Sequence, residues 1–316
     1  MRKTKNTTYI EGYIYEHKLE ARVTGENSKN PGTPFIMGNL DIATDNAITN
    51  IVTVHFTYVT PVTSKGNPNA TYEVLKGIID GKYKTVMGSG KEVANKVRID
   101  SAIGLNEFYS DRNGTSELVS VKRNEGGFVH ITDSLKENEN ERNTFTADIV
   151  ITNVSRVEEN PERNITEHSI VRGCVFDFRN SILPVEFVVR HPGAMNYFES
   201  LEATSSHPVF TQVSGVQVSQ TVSRSVETTT PWGETVVKTI PSSRREWVIT
   251  NALTEPYDFG NDSEDLTPAE LVKMMGQRET DLATIKSRQD EYRASRAAAP
   301  APTATPAQAS SQGFNF

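Results

Sequence analysis

A single cysteine, Cys174, stands among 316 residues. No disulfide can close within the chain, and a thiolate zinc site has no ligand set. Long apolar runs are also missing: no stretch reaches the roughly 18 residues that a membrane helix needs. The basic N-terminus lacks the apolar core of a signal peptide, so a cytoplasmic chain without a membrane partner is expected. Positive charge is scarce. Lys and Arg number 33 against 40 Asp and Glu, a net charge of −7, which excludes a basic coat over the whole molecule. Residues 255–316 hold 6 basic and 10 acidic groups, net −4. A polyanion is therefore to be sought on the first 254 residues.

Catalytic patterns are absent as well. Gly88-Ser89-Gly90-Lys91-Glu92 approaches a phosphate loop, but Thr85 stands where its first glycine belongs and Glu92 where a magnesium-binding hydroxyl belongs. His17, His55, His130, His168, His191 and His207 have no metal-ligand spacing. No Gly-x-Ser-x-Gly elbow occurs. The expectation is a non-enzyme with no cofactor and no metal.

What the chain does contain is strand pattern. Alternating Val/Ile/Thr/Tyr segments, bounded by Gly, Pro, Asn and Asp, fill most of residues 9–252. Two short helices are expected over about 70–80 and 194–203. A repeat runs through these strands. Ile10-Glu11-Gly12-Tyr13-Ile14-Tyr15-Glu16 parallels Val171-Arg172-Gly173-Cys174-Val175-Phe176-Asp177, and Ile51–Phe56 parallels Ile182–Phe187. Pro61 and Pro192 follow at equal spacing, then the helices. Ile149-Val150-Ile151-Thr152-Asn153 parallels Trp247-Val248-Ile249-Thr250-Asn251. A small antiparallel barrel with one helix between its third and fourth strands is the OB-fold.

The expected fold is therefore mainly β: two tandem OB-fold-like antiparallel barrels, then a C-terminal helix and a disordered tail. The first barrel, with insertions, is expected over 1–160 and the second over 165–254. An acidic linker follows over 255–266. Thr267-Pro268-Ala269-Glu270 reads as an N-cap, a first-turn proline and a capping-box glutamate, opening a thinly amphipathic helix over 267–296. Residues 297–316 have tail composition and end in Phe314-Asn315-Phe316.

In small barrels, aromatics beside basic groups on a strand face make a stacking platform for unpaired bases. Alternation puts Tyr13 and Tyr15 on the outer face, with Phe176 their counterpart in the second copy. Val52, Val54, Phe56 and Tyr58 form the inner set of their strand, and Thr53, His55 and Thr57 the outer set. Phe56 and Phe187 read as core. Further candidates for nucleic-acid contact are Arg98, Phe108, Tyr109, Lys122, Arg123 and Phe128 in the first unit. Those in the second are Arg172, Arg190, Arg224, Trp232 and Arg244.

The architecture resembles single-stranded-DNA-binding proteins of a bacteriophage or mobile-element type. Lys96–Ile103 running to Phe108–Gly114 looks like their long fourth strand, and Arg142–Val150 like their closing strand. The resemblance implies sequence-tolerant binding and protection of single-stranded DNA in replication or recombination, in a bacterial host cytoplasm. It also implies that Phe314 and Phe316, or the C-terminal helix, meet a replication or recombination protein or a second copy of the chain. The terminal Gln308–Phe316 segment carries no acid, unlike the acidic tail tips of the bacterial family. The rival readings are a β-rich virion structural or protein-interaction protein, and an enzyme on a β scaffold.

Overall fold

The computed structural model describes residues 4–112, 115–160, 165–229, 232–258, 260 and 266–298. The expectations placed on the tail, Phe314 and Phe316 among them, lie outside these residues.

The first unit contains β1 (Asn6–Val23), β2 (Pro34–Ala43), β3 (Ile51–Val59), α1 (Ala70–Ile79), α2 (Val86–Ser89), β4 (Lys96–Arg112) and β5 (Thr115–Thr132). β1 pairs antiparallel with β2 and β4, and β2 pairs with β3. β4 pairs with β5, and a short parallel contact, Val54 beside Asn124, joins β3 to β5. The ring β1-β2-β3-β5-β4 is thereby closed in the OB manner. The second unit contains β6 (Asn143–Val157), β7 (His168–Phe176), β8 (Ile182–Val189), α3 (Pro192–Ser200), β9 (Val209–Thr229) and β10 (Thr235–Ala252). Its ring β6-β7-β8-β10-β9 closes through a parallel contact of Val248 with Val188. Asn6–Ile10 of β1 also pairs with Asn143–Ala147 of β6, so the two barrels share one continuous sheet.

The pairing corrects two readings of the repeat. β6 is the opening strand of the second barrel, not the closing strand of the first. The strand at 168–176 then stands second in its barrel, so its counterpart is β2 and not β1. The shared glycine explains the mistake. A Cβ on Gly12 would lie 2.1 Å from the Ala43 carbonyl oxygen, and one on Gly173 would lie 2.2 Å from that of Val150. Both glycines permit a close crossing of strands one and two, but from opposite partners.

Each barrel is filled by its inward alternation. Ile10, Ile14, Leu40, Ile42, Val54 and Phe56 fill the first, plugged by Leu75 and Ile78 of α1. That helix starts where the Asn69 side chain accepts a hydrogen bond from the Thr71 N–H. In the second, Phe145 stacks on Phe187 at 5.0 Å and Trp247 leans on Phe145 at 5.3 Å, above Met195 and Phe198 of α3. Each such buried side chain contributes about 1.5–3 kcal/mol. Phe56 and Phe187 are fully buried as expected.

Two hairpins overrun their barrels as fingers. Finger one is the outer part of β4–β5. Ile103 at its base belongs to the second barrel's core and Leu105 packs against it, which locks the barrels together. Finger two is the outer part of β9–β10. The helix α4 (Pro268–Ala298) opens with the capping box read from sequence: the Glu270 N–H donates to Thr267 Oγ1, and the Thr267 N–H to Glu270 Oε2. Its first turns, with Leu266, Leu271 and Met274, cover Val150, Cys174, Phe176 and Phe210. Phe176 is therefore buried, edge-on to Phe210, and the expectation that it offers an open stacking face is corrected. Alternation put it outside the barrel rightly, but a distant helix covers it. The same burial pushes the Cys174 thiol up to about 12.

Candidate nucleic-acid interface

Where β3 and β5 of the first barrel face β9 and β10 of the second, a groove of about 450 Å³ opens. Its floor is a polar clasp. Asn124 and Gln217 exchange amide hydrogen bonds of 2.9 and 3.0 Å, and Asn124 also donates to the Thr53 carbonyl. Asn50 extends the clasp by accepting from the Ser219 N–H at 2.6 Å. Asn124 and Gln217 are buried and mutually satisfied, as buried amides must be.

On one wall His55 Nδ1 lies 2.7 Å from Asn39 Oδ1. Because the amide oxygen only accepts, Nδ1 carries the proton and donates. Burial, helped by the Arg123 guanidinium, holds the His55 pKa below its usual value, so the ring is neutral and Nε2 is an acceptor. On the opposite wall Trp247 lies under the Lys122 amine, 5.3 Å from the ring centre, with Phe187 at 5.0 Å. Lys122 donates to the Glu186 carbonyl, and burial brings its amine down to about 8.

Charge around the groove divides into committed and open cations. Arg190 and Arg244 both bind Glu246, at 2.6 and 2.8 Å, and Arg123 binds Glu125 at 2.5 Å. Arg245 is exposed and lines the groove; among the described residues it has no ion-pair or hydrogen-bond partner. Finger one adds an apolar strip. In its register Asn106 faces Val121 and Phe108 faces Val119, so all four share one side. Asn106 and Val121 line the groove, which puts Phe108, 39 % exposed, along its extension. Trp232, 75 % exposed, stands at the end of finger two.

The other expected residues are distributed elsewhere. Tyr13, Arg98 and Phe128 lie on one outer face of the first barrel, since Tyr13 opposes Lys96, Arg98 opposes His130, and Asp100 opposes Phe128. Phe128 is 69 % exposed there, but its neighbours are engaged. Lys91 and Lys96 lie over the Tyr13 ring at 5.4 and 5.9 Å, Lys136 covers Tyr9 at 4.0 Å, and Arg98 has Asp100 at 3.7 Å. Tyr15 is half-buried farther along β1. Arg172 is bound to Glu186 at 2.5 Å and to Ser155 at 2.9 Å. Tyr109 faces α4, where Gln289 and Arg293 bond its backbone. Arg224 lies on β9, but its side chain is outside the described residues.

Three groove residues, Asn39, His55 and Trp247, carried no local signal of a site, although alternation did place His55 outward. Tyr58 is a further correction. Between the pairs Ile36/Val59 and Gly38/Phe56, β3 has one residue more than β2. This bulge shifts the alternation, and Tyr58, 49 % exposed, stacks obliquely on Phe35 at 4.8 Å outside the barrel. Among the described residues no cluster of His, Cys, Asp and Glu is arranged to hold a metal ion.

Two OB barrels fused along one strand pair, with an open groove between them, define a tandem-barrel protein. The chain belongs to the YorF family, whose model matches residues 5–287. No curated protein matches the sequence. Among solved structures it is similar to a deletion variant of the single-stranded DNA binding protein from Thermus aquaticus. That likeness has 12 % identity and a TM-score of 0.44, and covers 83 % of this chain and 100 % of the other. The wild-type Thermus aquaticus protein is similar at 12 % identity and a TM-score of 0.42, covering 80 % of this chain and 93 % of the other.

Proposed function

We propose that the chain binds single-stranded DNA, without marked sequence preference, in the groove between the barrels and along the two fingers. One observation carries this reading. The groove joins an uncommitted cation, Arg245, to an apolar strip containing Phe108, and the exposed Trp232 rises on the finger beside it. Phosphates are attracted by open cations, and splayed bases stack on exposed aromatics. The arginines already held by carboxylates, Arg172, Arg190 and Arg244, act as structure and contribute little to phosphate affinity. The role that follows is protection of unpaired strands during replication or recombination, and a phage-borne or mobile-element setting suits it. A replication or recombination protein would reach the chain through the exposed side of α4, where Val272 and Met275 lie, or through the tail beyond it.

The test is a poly-dT titration followed by Trp and Tyr fluorescence at two salt concentrations, with duplex DNA as control. Quenching by poly-dT that weakens with salt and is absent with duplex supports the proposal. Salt-insensitive binding, or no retention on poly-dT at low salt, defeats it.

A further inference from the structure

The groove has room for more than a phosphate chain. Its volume of about 450 Å³ falls within the range of about 300–1,000 Å³ typical of small-ligand pockets. Its lining is also unlike a simple basic trough. Val121, 47 % exposed, offers an apolar side. The Asn124–Gln217 clasp closes the floor without spare charge. His55 presents Nε2, for which no partner exists among the described residues, and its orientation is fixed by the Nδ1 contact to Asn39. Arg245 stands open at the rim. A neutral hydrogen-bonding edge on the half-buried His55, an apolar side and an exposed cation together suit a base attached to a phosphate. A phosphate alone would leave the interior empty.

We infer that this pocket takes one extruded nucleotide, its base edge against His55 and Asn39 and its phosphate toward Arg245. The inference rests on the single-stranded-DNA reading and deepens it. Along a strand held by stacking and charge, one nucleotide is read by its edge, which gives the complex a register. Extruding a base from a single strand costs little because no pair is broken, and an unstacked base is then open to hydrogen bonding on its edge. A neutral His55 both accepts from a base N–H and avoids adding charge behind the base.

The experiment uses the full chain with carbon-13-labelled histidine, titrated with dTMP and, as a baseless control, with deoxyribose 5-phosphate. The His55 signal is assigned by its loss in His55→Ala. The expected result is that dTMP shifts the His55 signal while the sugar phosphate does so at least tenfold more weakly, and that Arg245→Ala weakens both. His55→Ala is also expected to lower poly-dT affinity by about tenfold with an unchanged salt slope. Equal response to both ligands overturns the inference, because the pocket then binds phosphate only. An unmoved His55 signal, or an unchanged poly-dT affinity in His55→Ala, overturns it as well. In either case retained poly-dT binding by the native chain leaves the broader proposal standing. Loss of both together defeats the broader proposal.

Discussion

The two fingers grow from the same position in their barrels, the hairpin between strands four and five, yet their surroundings differ. Finger one is fastened from Ile103 to Tyr109. Ile103 and Leu105 enter the second barrel's core, and Lys122 reaches over Phe187 and Trp247. From the other side Arg278 of α4 binds Glu107, one of its bonds measuring 3.1 Å, while Gln289 and Arg293 bond the Tyr109 backbone. Gln289 donates and accepts there as a neighbouring strand would, which blunts an otherwise open edge. Finger two touches the first barrel near its base, through the amides of Asn50 and Asn124 and the Gln217 and Ser219 positions. Farther out, Trp232, Val236 and Val237 are exposed. One hairpin has become structure and the other has stayed surface. Apolar burial with a buried ion pair fixes an element, whereas a few amide bonds at its root leave it free to meet a ligand.

The contrast can be broken most severely at the α4 tie. Arg278 and Glu107 are only 17 % and 10 % exposed. Arg278→Met leaves the carboxylate buried without its cation and is expected to cost about 3 kcal/mol in urea unfolding. A Glu107→Leu change added to it should recover much of that loss. Finger two should show the opposite response. Trp232→Ala is expected to leave the unfolding midpoint unchanged while weakening poly-dT binding by about 1–3 kcal/mol, read by fluorescence or filter retention.

Open and committed cations sharpen the comparison further. Arg245→Ala should reduce the salt slope of poly-dT binding by about 0.7, the value for one phosphate contact on a single strand. Arg244→Ala, beside it but bound to Glu246, should leave the slope nearly unchanged. The smallest effect belongs to Lys122. With its amine brought down to about 8, the unfolded chain holds a proton that the folded chain releases between about pH 8 and the ordinary lysine range near 10.4. Stability is therefore depressed below pH 8 and rises with pH above it. Urea midpoints at pH 7.5 and 9.5 should show this rise in the native chain and a smaller one in Lys122→Met.

Much of the architecture was legible because it is written locally. Alternation located the strands, Phe56 and Phe187 were placed in the cores, and Thr267 with Glu270 marked the start of α4. Errors arose where distant parts decide. Nothing in the 143–157 segment says which ring it closes, because Gly12 and Gly173 serve the same crossing from different strands. Phe176 points out of its barrel and is buried only because α4 returns over it. Tyr58 changes sides through one extra residue in β3. Of the residues singled out as contacts, Lys122 and Arg123 line the groove and Phe108 lies farther out on finger one. The groove's remaining walls come from β2, β3, β9 and β10, a meeting of tertiary origin with no signature in any single stretch.

Hydrogen exchange of the full chain with and without a dT oligonucleotide tests the central claim most directly. Amides of finger one should exchange slowly in both states. Amides of finger two, and those of β3 that border the groove, should become protected only when the oligonucleotide is present. Protection that appears instead on the face of Tyr9, Tyr13 and Phe128, with finger two unchanged, would contradict the account and move the binding surface to the far side of the first barrel.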